Sequence, residues 1–259
     1  MESPASPAEP VERTRLRGLS RRPGERWTRF ATRIANAFGL VLLLVIGIYV
    51  LASLVPYKGW SAVALASVTV TCAIVALISS NAGPRLVRGS VVLGAIAFAL
   101  TVISAAAGGS GLLATSALIE IVLLAVAAVK MLGAVLSEYE VNFRTILGAI
   151  SVYVLLGVLF TYVYIAVDKL QPGLFFGQPI ATGDFIFFSI TTLTTTGYGN
   201  LVPAGQPGRM LSGLEMLIGQ IFLVTLIAGL VSLWRPGSLR QLQSEGGDDS
   251  SSRARSQEP

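Results

Sequence analysis

Apolar residues in this chain fall in six long blocks, at about residues 34–55, 61–79, 89–107, 111–136, 145–167 and 209–234. Each approaches the roughly 20 residues that a membrane-crossing helix needs. The breaks between the first four are short and built from turn formers: Val55-Pro56-Tyr57-Lys58-Gly59-Trp60, then Ser80-Asn81-Ala82-Gly83-Pro84, then Gly108-Gly109-Ser110-Gly111. The fifth and sixth blocks are separated by about 40 residues, Asp168 to Gly208. Within them Gln171-Pro172-Gly173 and Gln178-Pro179 read as a turret, and Thr182 or Asp184 is placed to cap a helix N-terminus. The apolar run Phe185 to Leu193 then predicts a helix of about three turns, roughly 18 Å, which enters a bilayer and stops. The pattern predicts an all-α membrane protein of six transmembrane helices, with a re-entrant helix between the fifth and sixth.

Composition agrees with that class. Of 259 residues 53% are hydrophobic and 13% charged, against about 25% charged in soluble domains. Histidine is absent, which argues against most metal and acid–base chemistry, and the one cysteine, Cys72, lies in an apolar block and forms no disulfide within the chain. The net charge of +5 does not read as nucleic-acid binding, because the arginines gather at the chain ends, where orientation signals belong. Eight arginines fall between Arg13 and Arg33. The apolar run after them is longer than a signal-peptide core, so an uncleaved first span is expected. Counting Lys and Arg places the N-terminal arginines, Arg85, Arg88, Arg144, Arg235, Arg240, Arg253 and Arg255 on one side. Lys58, Lys169 and Arg209 fall on the other. The expectation is a multi-pass protein of the cell membrane with both termini cytoplasmic and the turret outside. Residues 1–33 and 235–259 read as disordered tails, 34–136 as a four-helix unit, 137–144 as a linker and 145–234 as a second unit. The N-terminal arginines suit anionic lipid.

The stretch after the short helix, Thr195-Thr196-Gly197-Tyr198-Gly199 and then Asn200, sets a backbone problem. Irregular backbone is tolerated at membrane depth only where it lines water or is enclosed by protein. A dehydrated cation needs oxygens in place of its water, and successive carbonyls can point at one axis if backbone conformations alternate. That includes φ > 0, which glycine adopts at least cost. Gly197 and Gly199 suit this, Thr195 adds a hydroxyl, Tyr198 is placed to wedge against the preceding helix, and the helix C-terminus favours a cation.

These residues resemble the potassium-channel filter signature, whose usual form is T-V-G-Y-G. The resemblance runs from about Thr145 to Trp234 and takes in Pro203 after the filter, Gly208-Arg209 at the start of the sixth span, and Gly219 where that family has an inner-helix hinge glycine. It implies a bacterial-type potassium channel with a six-span, single-pore layout. In that layout the short helix is a re-entrant pore helix, Thr195 to Gly199 form the selectivity filter, and K+ is held at Thr195, Thr196, Gly197 and Tyr198. Thr196 stands where Val or Ile is usual, and Asn200 at the outer mouth where Asp is usual. The chain has one filter sequence, so the resemblance implies a homotetramer. Potassium is the permeant ion and no cofactor is expected.

Gln220, Leu223, Val224, Ile227 and Val231 recur at helical spacing on the sixth span, and either line a cavity or pack against helices or lipid. Gly219 and Gly229 are either hinges or sites of close packing. The first four spans resemble a voltage sensor in layout only. The fourth holds one basic residue, Lys130, and one acidic residue, Glu120, and the second and third hold none. One charge crossing the membrane supplies only about 2.3 kcal/mol per 100 mV, so conventional voltage gating is not expected. Glu120 is either a protonation sensor or gating contact, or a neutral glutamate facing hydroxyls. Glu215 either braces the pore helix from behind or makes a polar subunit contact. Beside a potassium-selective pore, two readings stay open: a weakly selective cation channel, and a non-conducting scaffold or modulatory subunit. No nucleophile–base pair, nucleotide loop or metal cluster supports an enzyme.

Overall fold

The computed structural model describes residues 38–54, 60–137 and 143–233, with side chains throughout except at 53, 54 and 230–233. The expected tails and the linker charges Glu138 and Glu140 lie outside these residues. The described residues form α1 (Phe38–Leu54), α2 (Trp60–Ser79), α3 (Pro84–Ala107), α4 (Ser110–Leu136), α5 (Phe143–Leu170), the short α6 (Thr182–Leu193) and α7 (Gln206–Leu233). Helices α2, α3, α4, α5 and α7 are long and apolar enough to cross a membrane, and α1 is described over 17 residues. The fold is all-α, as the block pattern predicts.

Boundaries differ from expectation in two places that matter. Helix α3 begins at Pro84 rather than near residue 89, because Pro84 occupies a first-turn position where its missing N–H costs nothing, and so Arg85 and Arg88 are helical. Helix α5 runs to Leu170, three residues past the expected end. Its last turn carries Asp168, whose Oδ1 accepts the Phe175 N–H at 2.9 Å and whose Oδ2 meets Lys169 at 2.8 Å. That carboxylate ties the helix end to the turret.

Helices α1 to α4 form one bundle, and α4 lies along α5 as the most extensive helix pair in the molecule. Residues 137–142 are all that separate these two helices. One core joins the halves: Val41, Val45 and Ile48 of α1, Leu77 of α2, and Leu124 and Met131 of α4 pack with Val152, Leu155 and Val158 of α5 and Ile186 of α6. Helix α3 is the outlier, with Val91, Val92, Leu93, Ile96 and Ile103 exposed, as suits a lipid-facing element. A second, aromatic core lies under the turret. Phe175, Phe176, Phe185, Phe188 and Tyr164 meet there edge-on or tilted, with centroids 4.8 Å apart for Phe175–Phe176 and 4.9 Å for Phe176–Phe188.

Glycine sets how closely α4, α1 and α5 meet. A Cβ on Gly148 would stand 2.7 Å from Val135 Cγ2 and 3.3 Å from the Phe38 ring, whereas one on Gly133 meets nothing within 4 Å. Gly148→Val should therefore destabilise the protein by about 1–3 kcal/mol through overpacking. Gly133→Val should leave stability unchanged or raise it by a few tenths of a kcal/mol, because valine is a better helix former than glycine and meets open space. Thermal unfolding of the purified protein in detergent compares the two, and equal midpoints would contradict this packing.

Candidate functional site

The site is built on α6. Ala181, with extended backbone, precedes the first turn, and the Asp184 carboxylate reaches back so that Oδ2 accepts the Ala181 N–H at 2.7 Å. Of the two expected capping residues, Asp184 acts from the third helical position and Thr182 is the first residue of the helix. A carboxylate there also suits the positive end of the helix dipole. The helix buries Phe185, Ile186, Phe188, Ser189, Thr191, Thr192 and Leu193 and stops after 12 residues, well short of a span.

The chain then turns back through backbone that alternates in hand. Thr195 has φ +57°, Gly197 +53° and Gly199 +79°. Left-handed backbone is costly for a β-branched residue, so Thr195 must be held from outside. Its N–H donates to Thr192 O at 2.9 Å, its hydroxyl donates to Thr194 O at 2.7 Å, and Gln220 Nε2 of α7 donates to that hydroxyl at 2.8 Å. The Gly197 N–H donates to Thr191 O at 3.0 Å. In a planar trans peptide the preceding carbonyl points opposite to the N–H. With the amides of Thr195 and Gly197 turned to α6, the carbonyls of Thr194 and Thr196 face away from it. Residues 194–200, Asn200 included, form an exposed strip along one side of the chain. Tyr198 lies back over α6, stacked on Phe187 with centroids 5.7 Å apart and planes 16° apart. The Thr196 hydroxyl meets that of Thr194 at 2.9 Å.

Behind the strip three helices converge on one carboxylate. Glu215 of α7 is fully buried, and it accepts hydrogen bonds from Ser189 of α6 at 2.5 Å and from the Tyr164 phenol of α5. The Ser189 hydroxyl also lies 2.7 Å from Gly157 O of α5. Glu215 thus sits behind the short helix, hydrogen-bonded to α6 and α5 of its own chain. One turn on, Gly219 lies against the last carbonyl of α6, so that a Cβ there would collide with Leu193 O. That carbonyl also accepts the Tyr153 phenol at 3.1 Å. Gly219 thus makes a close approach between α7 and α6. At the outer end, Gly208 lets α7 start against Pro203 and Phe175, whose atoms would stand 2.7 Å and 2.8 Å from a Cβ, and Arg209 Nε donates to Pro203 O at 3.2 Å.

Gln220, Val224 and Ile227 are exposed on the protomer and Leu223 is half-buried, whereas the Val231 side chain lies outside the described residues. Gly229 has open space around its Cβ position. Glu120 is buried in the four-helix bundle, outside the Glu215 junction, and Lys130 is exposed near the far end of α4. Sequence reasoning missed Ser189, Tyr164, Tyr153 and Asp168. The available signal was a hydroxyl or carboxyl at each of these positions in otherwise apolar helices.

Residues 148–235 match a family model described as ion channel. Over 93 residues the chain is 37% identical to a cyclic nucleotide-gated potassium channel of Rhizobium etli, which takes in 35% of this chain and 22% of that protein. The chain thus matches about a fifth of that relative's length. The family match takes in the short helix and the alternating backbone, and both findings support the bacterial potassium-channel resemblance.

The two hydroxyl donors act on one carboxyl group, so their losses should be coupled. Ser189→Ala and Tyr164→Phe should each destabilise by about 1–3 kcal/mol. The double variant should depart from the sum by about 0.5 kcal/mol or more. Denaturant unfolding of the four proteins closes the cycle, and strict additivity would contradict a shared acceptor.

Proposed function

We propose that this chain is a potassium channel subunit. Four copies surround a pore in the cell membrane, with both termini cytoplasmic, and K+ passes passively along carbonyls of the Thr195–Gly199 strip. One observation carries the reading: left-handed backbone at residues 195, 197 and 199, directly after a 12-residue helix too short to cross a bilayer. Amides turned to the helix leave carbonyls on the exposed side, where oxygens can replace the hydration shell of a cation. The ion-channel match over residues 148–235 supports the same half of the chain. K+ would be held by Thr195, Thr196, Gly197 and Tyr198, with Asn200 at the outer mouth and Gln220, Leu223, Val224, Ile227 and Val231 lining the cavity. An exposed strip along one side of a single chain does not enclose a pore, which supports a ring of copies. Anionic lipid at the N-terminal arginines belongs to the same proposal.

A weakly selective cation channel is the second reading. Thr196 and Asn200 favour it, since both replace the usual filter residues and the Thr196 hydroxyl is tied to Thr194. Voltage gating of the usual kind has little to act on: α4 contributes Lys130 as its one basic residue, and it is exposed.

Reconstitution in liposomes under a potassium gradient tests the proposal. A reversal potential that follows potassium over sodium is expected. Equal permeation would establish the weakly selective channel, and no flux at any voltage would leave a scaffold or modulatory subunit. Gly199→Ala should reduce flux to background, because alanine is strained at φ +79°. In planar bilayers Lys130→Gln should leave the conductance–voltage relation in place. A shift corresponding to a full gating charge, about 2.3 kcal/mol per 100 mV, would show that α4 senses voltage after all.

A further inference from the structure

A crevice of about 370 Å³ enters the protein between α2, α3, α4 and α5, at the end where α6 begins. The turret residues Gln178 and Pro179 stand at its exposed rim, together with Lys169. Glu120 lines its deep end, about 15 Å below the start of α4 at 1.5 Å per residue. That residue is 1% exposed, and its Oε2 has no hydrogen-bond partner among the described residues. A carboxyl oxygen in such a position is costly to leave unmatched.

Four hydroxyls of the crevice are arranged as acceptors. Thr101 donates its hydroxyl proton to Ala97 O at 2.9 Å, Ser104 to Gly109 O at 3.0 Å and Ser116 to Leu113 O at 2.9 Å. The Tyr162 phenol, which lines the crevice with Glu120, donates its proton to Thr69 Oγ1 at 3.1 Å. With its protons committed, each hydroxyl offers the crevice lone pairs. The one basic residue among the described lining is Lys169, held by Asp168 at 2.8 Å. Alanines 62, 66, 105 and 117 keep the walls apolar and leave room between them. Acceptors at the bottom, apolar walls and a volume in the small-ligand range are the recognition pattern of a compact organic cation.

We propose that this crevice binds a small organic ammonium ion, its charged head on Glu120 Oε2 and its short hydrocarbon body along the alanine-lined wall. An ammonium head supplies three donors, which suits the acceptors at the deep end of the crevice. The site lies in the four-helix half of the chain, apart from the Thr195–Gly199 strip, and does not depend on whether that strip conducts. Because Tyr162 belongs to α5, an occupant is in contact with the helix that also carries Tyr153, Gly157 and Tyr164 behind the strip.

The test is thermal unfolding of the full-length protein in detergent, titrated with n-butylammonium chloride. A saturable rise in midpoint of about 3 °C or more is expected. Neither 1-butanol nor sodium chloride at the same concentrations should reproduce it. Glu120→Gln, which keeps shape and removes charge, should abolish the rise. Ala105→Phe, which narrows the crevice wall away from Glu120, should abolish it too and decides the matter if Glu120→Gln does not fold. Absence of a saturable rise would overturn the proposal. So would an equal rise with 1-butanol, or a rise undiminished in both variants, which would assign binding to the pore strip or the detergent belt.

Discussion

A helix that ends inside a bilayer leaves carbonyls that lipid cannot satisfy. Helix α6, at 12 residues, is too short to cross one, and much of the second half of the molecule satisfies its end. The chain folds back so that the amides of Thr194, Thr195 and Gly197 reach Ile190, Thr192 and Thr191. The Tyr153 phenol covers Leu193 O from α5, and α7 closes on the same carbonyl because residue 219 has no side chain. The return path needs left-handed backbone at alternate residues. Two of the three positions are glycine, and the third, Thr195, is held by contacts on three sides. The exposed strip is a consequence of how the helix end is satisfied.

Two buried glutamates show opposite solutions to the same cost. Burying a carboxyl group without partners is expensive, and partners recover most of the loss. Glu215 receives Ser189 and Tyr164 and joins three helices of one protomer. Its environment is closed and serves position. Glu120 is as deeply buried yet keeps one oxygen unmatched, and it faces a crevice instead of a donor. The contrast separates a group retained for architecture from one whose complement lies outside the chain.

Much of this was legible in the sequence. Apolar blocks gave the helices, and the block too short to span gave α6, because length against bilayer thickness is a local property. Left-handed backbone at Gly197 and Gly199 followed from residue type. At Thr195 it did not, because there tertiary hydrogen bonds override the preference of the residue. Spans that are apolar on every face carry little phase information, so which side chains meet behind α6 could not be read. Glu215 stood out as a charge, but its donors are ordinary serine and tyrosine until three helices converge. Gly219 was ambiguous for a related reason: a hinge and a close approach ask for the same residue, and the Leu193 carbonyl packed against it comes from a helix distant in sequence.

The short connection between α4 and α5 has a consequence for biogenesis. Residues 137–142 reach at most about 20 Å when extended, and α4 lies along the α5 of its own chain. Each newly inserted polypeptide can therefore complete its bundle, its shared apolar core and the Glu215 junction without a neighbour. What that bundle leaves bare is one face, along α7 and the strip. Completing the bundle therefore makes no demand on whatever comes to cover that face.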